Sequence, residues 1–222
     1  MLFGSKLVSS AAAALALAAL LSPATGFAQK APPPPLNPIS LKGDAARGTA
    51  LAETCYGCHG LPESHNAYPS YLVPKLGGQN ADYITVALQG YRRGTRGHET
   101  MQAQASSLSD QDIADVAAYF STLDGKPEAG RSGGTAAIVA AGKEKSATCV
   151  QCHGPEGVAA APQWPNLGGQ HESYLVQALT QYKDGRRADM LMGPLASTLD
   201  ERAIEEIAAF FAAQPHLHNT PR

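Results

Sequence analysis

Leu76-Gly77-Gly78-Gln79 recurs as Leu167-Gly168-Gly169-Gln170, an offset of 91 residues. Self-similarity at a fixed spacing marks a duplicated unit. The same offset carries Tyr83 onto Tyr174, Leu88 onto Leu179, Tyr91 onto Tyr182, Gly94 onto Gly185, Met101 onto Met192 and Phe120 onto Phe211, without a gap. Towards the N-terminus, Cys55-Tyr56-Gly57-Cys58-His59 recurs as Cys149-Val150-Gln151-Cys152-His153 at an offset of 94, so the first unit carries three extra residues between its histidine and its Leu-Gly-Gly-Gln. The chain of 222 residues therefore reads as a tandem duplication. Its expected units are residues 41–125 and 135–214, joined by a Gly-rich linker at 126–134 and followed by a tail at 215–222.

Each unit reads as three or four helices, with no convincing period-2 strand. Asp44 and Ala45 to Thr54 predict a first helix leading into the cysteines, matched by Ile138 to Thr148. A second helix follows Leu-Gly-Gly-Gln, over Ala81 to Tyr91 and Glu172 to Tyr182. The last helix has the clearest signal: Ser109 is a good N-cap with Asp112 three residues on, and Ile113, Val116, Ala117 and Phe120 share one face. Its counterpart starts at Asp200, uses Ile204, Ile207, Ala208 and Phe211, and should end by Pro215.

Composition narrows the contents of these units. Hydrophobic residues make up 44% of the chain but aromatic ones only 6%, so something besides Phe, Tyr and Trp must fill the cores, and a porphyrin would. The net charge of −2, with no basic patch or aromatic interleaving, gives no sign of a nucleic-acid partner, and none is expected. Residues 1–28 read as a cleavable signal peptide: Lys6, the apolar run Leu7 to Leu21, and Gly26-Phe27-Ala28 as a small-x-small cleavage site. That run of 15 residues falls short of the roughly 20 of a spanning helix, which disfavours an uncleaved anchor. Residues 29–40, with Pro32 to Pro35, predict an extended tether.

All four cysteines lie in two Cys-x-x-Cys pairs, which in an exported protein read as disulfides, metal ligands or haem attachment. The histidine after each pair decides for haem: two thiols form thioethers to its vinyl groups, and the next histidine lies beneath the iron. A four-cysteine zinc site usually separates its pairs by about 15 to 20 residues, and a thioredoxin-like disulfide calls for a βαβ pattern that this sequence lacks. Two haem c groups are therefore expected, at Cys55, Cys58 and His59 and at Cys149, Cys152 and His153.

Filling both axial positions of each iron requires one further ligand per unit, and thioether opposite imidazole raises the potential. Besides the initiator the chain has Met101, Met190 and Met192. Met101 and Met192 stand eight residues before Ser109 and Asp200, in loops preceding the last helix, and are the expected ligands. Met190 aligns with Glu99 and stays open as a competitor. His65, His98 and His171 have no aligned histidine and read as solvated, and His216 and His218 are weaker candidates still.

This order of motifs resembles the cytochrome c4 family: the Cys-x-x-Cys-His, the Leu-Gly-Gly-Gln with its following Tyr helix, Tyr91-Arg92-Arg93-Gly94 or Tyr182-Lys183-Asp184-Gly185 with Arg96 or Arg187 after it, the methionine, and the closing helix. The resemblance covers about residues 41 to 214, twice over. It implies an all-α fold of two tandem class I cytochrome c domains about a pseudo-twofold axis, with haems close enough to exchange electrons. It also implies that the carbonyls of Pro74 and Pro165 accept the proximal histidine protons, and that Arg96 and Arg187 suit the haem propionates. Asp184 replaces Arg93 in the second unit, which argues against equivalent haems.

The implied activity is non-enzymatic electron transport in the periplasm. The partners are redox proteins: a quinol-oxidising complex or periplasmic dehydrogenase upstream and a terminal oxidase downstream, with peripheral membrane association compatible. Two alternatives remain: an electron-accepting subunit of a dehydrogenase, and a catalytic dihaem enzyme. The second is disfavoured by the lack of a fifth cysteine for a thiolate-ligated haem and by the matched methionines.

Overall fold

The structure, a computed structural model, describes residues 36–123, 126 and 134–220 together with Met1. The expected signal peptide beyond Met1, most of the Pro-rich tether and most of the linker lie outside the described residues. From Leu36 onward the described residues belong to one compact unit. No helix among them is long and apolar enough to cross a membrane.

The first repeat runs α1 (Ala45–Leu51), α2 (Glu53–His59), β1 (His65–Asn66), β2 (Tyr71–Leu72), α3 (Ala81–Arg93), α4 (Glu99–Ser106) and α5 (Asp110–Ser121). The second runs α6 (Ala136–Lys145), α7 (Val150–His153), α8 (Glu172–Lys183), α9 (Met192–Ser197) and α10 (Glu201–Ala212). The last helices start where the caps predict. Ser109 Oγ accepts from the Asp112 N–H at 3.1 Å while Asp112 accepts from the Ser109 N–H at 3.0 Å, a reciprocal capping box. Asp200 accepts from the Ala203 N–H at 2.7 Å. Their apolar faces bury Ile113, Val116, Ala117 and Phe120 in one core, and Ile204, Ile207, Ala208 and Phe211 in the other.

In each repeat the first and last helices cross in contact, α1 on α5 and α6 on α10. The crossings sit on glycines, because a Cβ at Gly48 would lie 2.2 Å from the Asp115 carbonyl oxygen and one at Gly142 only 1.8 Å from that of Glu206. Beside each crossing a buried carboxylate faces the first helix. Arg47 pairs with Asp115 at 3.2 Å, and Glu206 pairs with Lys145 and, at 2.8 Å, with Arg202.

Hydrogen bonds from Lys145 and then Arg202 hold the Glu206 carboxyl below its ordinary range. A depressed folded-state pKa gives stability that is present above the unfolded value, about 4.3, and is lost as pH falls through the folded one. Glu206→Gln should therefore lower the denaturation midpoint at neutral pH, with the gap to wild type closing below about pH 4. A pH-independent gap would contradict this.

Two sequence expectations need correction. The first repeat, which shows no period-2 alternation, nevertheless contains strand. Its longer connection between His59 and Leu76 holds a short antiparallel hairpin, with His65 opposite Leu72 and Asn66 opposite Tyr71, and β2 leans on α8 of the other repeat, where the Leu72 N–H donates to Ser173 Oγ at 3.1 Å. The segment after Pro215 is also packed. Leu217, His218 and Thr220 are buried, the Leu217 N–H donates to Gly168 O at 2.9 Å, and the His218 N–H donates to Gly77 O at 3.2 Å. This strap thus ties one Leu-Gly-Gly-Gln to the other.

Candidate functional site: two histidine centres at a pseudo-twofold interface

The attachment segments are helical: Cys55, Cys58 and His59 lie on α2, and Cys149 caps α7, which carries Cys152 and His153. All four cysteines are free thiols. Burial pushes the Cys55 and Cys149 thiols up, opposite to the thiolate of a dithiol redox catalyst. Among the described residues no three of His, Cys, Asp and Glu gather as a metal site.

His59 Nδ1–H donates to the Pro74 carbonyl at 2.8 Å, and His153 Nδ1–H to that of Pro165 at 3.0 Å. A carbonyl only accepts, so Nδ1 carries the proton and Nε2 keeps its lone pair for a metal. Burial lowers both imidazole pKa values and keeps the rings neutral, the state an iron ligand requires.

Met101 and Met192 are not in loops. Met101 is the third residue of α4 and packs against the first core, while Met192 is the first residue of α9. Each is anchored by the residue three positions earlier: the Met101 N–H donates to His98 Nδ1 at 3.2 Å and the Met192 N–H to Asp189 Oδ1 at 2.7 Å. His98 and Asp189 are themselves related by the 91-residue offset. Met190 is 59% exposed and has no such anchor at its aligned position.

The other histidines divide. His65 is exposed, as expected. His98 is not solvated: it is half-buried, with Nε2–H donating to Asn66 Oδ1 at 3.1 Å. His171, at 2% exposure, is buried rather than solvated, because the second repeat's Leu-Gly-Gly-Gln lies inside the domain interface.

That interface holds a cluster the sequence motifs only hinted at. Arg96 and Arg187 pair across it as an antiparallel bridge and are 8% and 6% exposed. Arg96 donates to the hydroxyls of Tyr83 at 3.2 Å and Tyr174 at 2.7 Å, and Arg187 donates to Tyr83 at 2.7 Å. Tyr91 and Tyr182 lie under the two guanidiniums, at 4.5 Å and 4.3 Å. Among the described residues neither arginine has a carboxylate partner.

Burial pushes the Tyr83 phenol up, but Arg187 and Arg96 more than offset it and bring it down to about 8. At Tyr174 burial prevails and pushes the phenol up to about 12. Two buried cations without an anion are costly. A pair of propionate groups would supply that anion through bidentate contacts. The residues therefore fit haem on three counts: free paired thiols, a neutral imidazole with Nε2 available, and uncompensated buried guanidiniums.

Around this cluster each Leu-Gly-Gly-Gln glutamine reaches into the other repeat. Gln79 Nε2 donates to Asn166 O at 3.0 Å and its Oε1 accepts from the Asn166 N–H at 2.8 Å. Gln170 does the same to Lys75, at 3.0 Å and 2.9 Å. Each Oε1 also accepts from the following residue's N–H, at 2.9 Å from Asn80 and 3.0 Å from His171. This leaves one consistent orientation for each amide. The preceding Gly78 and Gly169 turn the chain at φ 78° and 76°, a region that only glycine enters freely.

Comparison with known proteins agrees with this geometry. The Cytochrome c family profile matches residues 45–124 and again 139–213. Cytochrome c4 of Pseudomonas aeruginosa is 34% identical over 178 residues, covering 76% of this chain and 87% of that protein. The crystal structure of reduced recombinant cytochrome c4 from Pseudomonas stutzeri superposes with a TM-score of 0.66 at 30% identity, over 79% of this chain and 100% of that one. A thiosulfate dehydrogenase electron acceptor of Stutzerimonas stutzeri is 29% identical, covering 78% of this chain and 89% of that protein. The doubled domain, the matched histidine centres and these relatives place the chain in the cytochrome c4 family, as an all-α electron-transfer protein of two cytochrome c domains with two covalently attached haem c groups.

Proposed function

We propose that the chain is a periplasmic single-electron shuttle, not an enzyme, with both irons closed by His59 and Met101 in the first domain and by His153 and Met192 in the second. The haem supplies the one-electron Fe(III)/Fe(II) couple. The chain's residues attach it, hold the proximal imidazole in one tautomer, present a thioether opposite, and neutralise propionate charge with Arg96 and Arg187. The observation that carries this reading is the matched anchoring of the two methionines. The backbone N–H of each is held by the aligned residue three positions before it, despite the change from histidine to aspartate, so the two halves preserve a placement rather than a sequence.

The partners in this reading are a quinol-oxidising complex or periplasmic dehydrogenase as donor and a terminal oxidase as acceptor, met through small, short-lived interfaces. The two ends differ in a way that suits two partners. Leu191 and Leu195 around Met192 are 64% and 47% exposed, where the first domain has Thr100 and Gln104.

Carbon monoxide tests the reading directly. Reduced holoprotein should show no carbon monoxide spectrum at either haem, since both sixth positions are filled, and ready binding at one haem would overturn the closed-centre assignment there. A second reading, favoured by the thiosulfate dehydrogenase electron acceptor among the relatives, makes the chain the accepting subunit of a dehydrogenase. Purification with a catalytic subunit attached would select it.

A further inference from the structure

The proximal histidine of each domain and the glutamine of the other domain act on the same peptide group. The Pro74 carbonyl accepts from His59 Nδ1–H at 2.8 Å, and the N–H of that peptide, on Lys75, donates to Gln170 Oε1 at 2.9 Å. In the second domain the Pro165 carbonyl accepts from His153 Nδ1–H at 3.0 Å, and the Asn166 N–H of that peptide donates to Gln79 Oε1 at 2.8 Å. Each chain of two hydrogen bonds runs through one amide and crosses from domain to domain. Gln79 and Gln170 are only 4% and 3% exposed, so water does not compete for these bonds.

An amide whose N–H is bonded to an acceptor carries more negative charge on its oxygen, the cooperativity that strengthens successive hydrogen bonds by roughly 10–30%. A stronger acceptor at Nδ1 makes the imidazole a more basic ligand, which favours Fe(III) and lowers the potential. The second bond of each glutamine, from Nε2 to the Lys75 or Asn166 carbonyl, holds the next peptide as well, so the acceptor is fixed in direction.

We infer that Gln170 is a positioning residue for the haem attached at Cys55 and Cys58, and Gln79 for the haem attached at Cys149 and Cys152, each tuning the potential of the opposite domain's iron through the Pro74–Lys75 or Pro165–Asn166 peptide. The inference rests on His59 and His153 being the proximal ligands. It makes the two potentials properties of the assembled pair: a change at one glutamine is read at the other domain's haem.

The test is spectroelectrochemical titration of holoprotein carrying Gln170→Leu or Gln79→Leu, with the two couples assigned by their haem methyl NMR signals. Gln170→Leu should raise the potential of the first-domain haem, shifting its reduction equilibrium at least threefold, roughly 28 mV at 59 mV per tenfold for one electron. The second-domain haem should move less, and Gln79→Leu should give the mirror pattern. Gln170→Glu keeps an acceptor for the Lys75 N–H and makes it stronger. It should move the same haem the other way, and it supplies the answer if the leucine variant does not fold.

A role as interface glue alone predicts equal shifts at both haems or none. Either result, or a shift confined to the mutated domain's own haem, would overturn the inference. NMR of the unmodified reduced protein separates this from failure of the ligand assignment, because only an iron-bound His59 gives imidazole protons displaced by the haem ring current.

Discussion

Met101→Ala should convert the first haem into one that binds carbon monoxide when reduced and whose potential falls by several tenths of a volt, within the roughly 0.8 V range that axial ligands span. The thioether is a soft donor that favours Fe(II), so its loss to water lowers the potential. Alanine also suits the helix: Met101 lies inside α4, and the bond to the His98 side chain is donated by the backbone N–H of residue 101, so the substitution keeps it. Met192→Ala should act the same way on the second haem alone. Met190→Ala discriminates, because Met190 is exposed and its removal should leave both spectra and both potentials unchanged. Carbon monoxide binding in the Met190 variant, or none in the Met101 variant, would reassign the ligands.

The largest stability effect is expected at Gly142. Helix propensity alone predicts that Gly→Ala inside α6 is stabilising by roughly 0.5–1 kcal/mol. The structure predicts the opposite sign, since the new Cβ would lie 1.8 Å from the Glu206 carbonyl oxygen and 2.9 Å from Phe210 Cβ. Neither neighbour is the end of a flexible side chain, so α6 and α10 must move apart, and overpacking of this kind costs about 1–3 kcal/mol. Gly142→Ala should lose about 2 kcal/mol net, and Gly142→Val about 4 kcal/mol as packing around Phe210 and Phe211 opens. The readout is the guanidinium midpoint of the holoprotein. Gly48→Ala should behave alike, its Cβ falling 2.7 Å from that of Tyr119. A raised midpoint in either would show that the crossing tolerates a side chain.

Much of this molecule could be read in advance because its signals are local or repeated. Ser109 with Asp112, and Asp200, placed the last helices, and a three-to-four-residue apolar period gave their buried faces. The duplication located both attachment segments and paired Met101 with Met192. What escaped was of longer range. Gln79 and Gln170 were visible as motif residues, but their partners lie 87 and 95 positions away and no periodicity links them. A polar residue kept in both copies beside two glycines was the one available hint. His171 read as solvated because a lone histidine carries no burial signal; its place comes from the interface. The hairpin at 65–72 is too short to show alternation, and the strap after Pro215 contains little apolar sequence beyond Leu217. Met101 and Met192 read as loop residues because His98 is an unusual helix cap and because α9, Met192–Ser197, is short and contains Gly193 and Pro194.

The crossed glutamines have a wider consequence. Gln79 holds residue 166 and Gln170 holds residue 75, positions equivalent under the duplication, so the patch is complementary to itself. Self-complementary patches are what twofold homodimers use; here the two matching surfaces belong to one chain. Carrying both on one chain makes the contact intramolecular, with an effective concentration in the millimolar range, so the pairing should withstand dilution. It also leaves the outer surfaces free to differ. Arg93 against Asp184 and Glu99 against Met190 are differences that a true homodimer could not carry, so the two ends of the molecule present different chemistry to the outside.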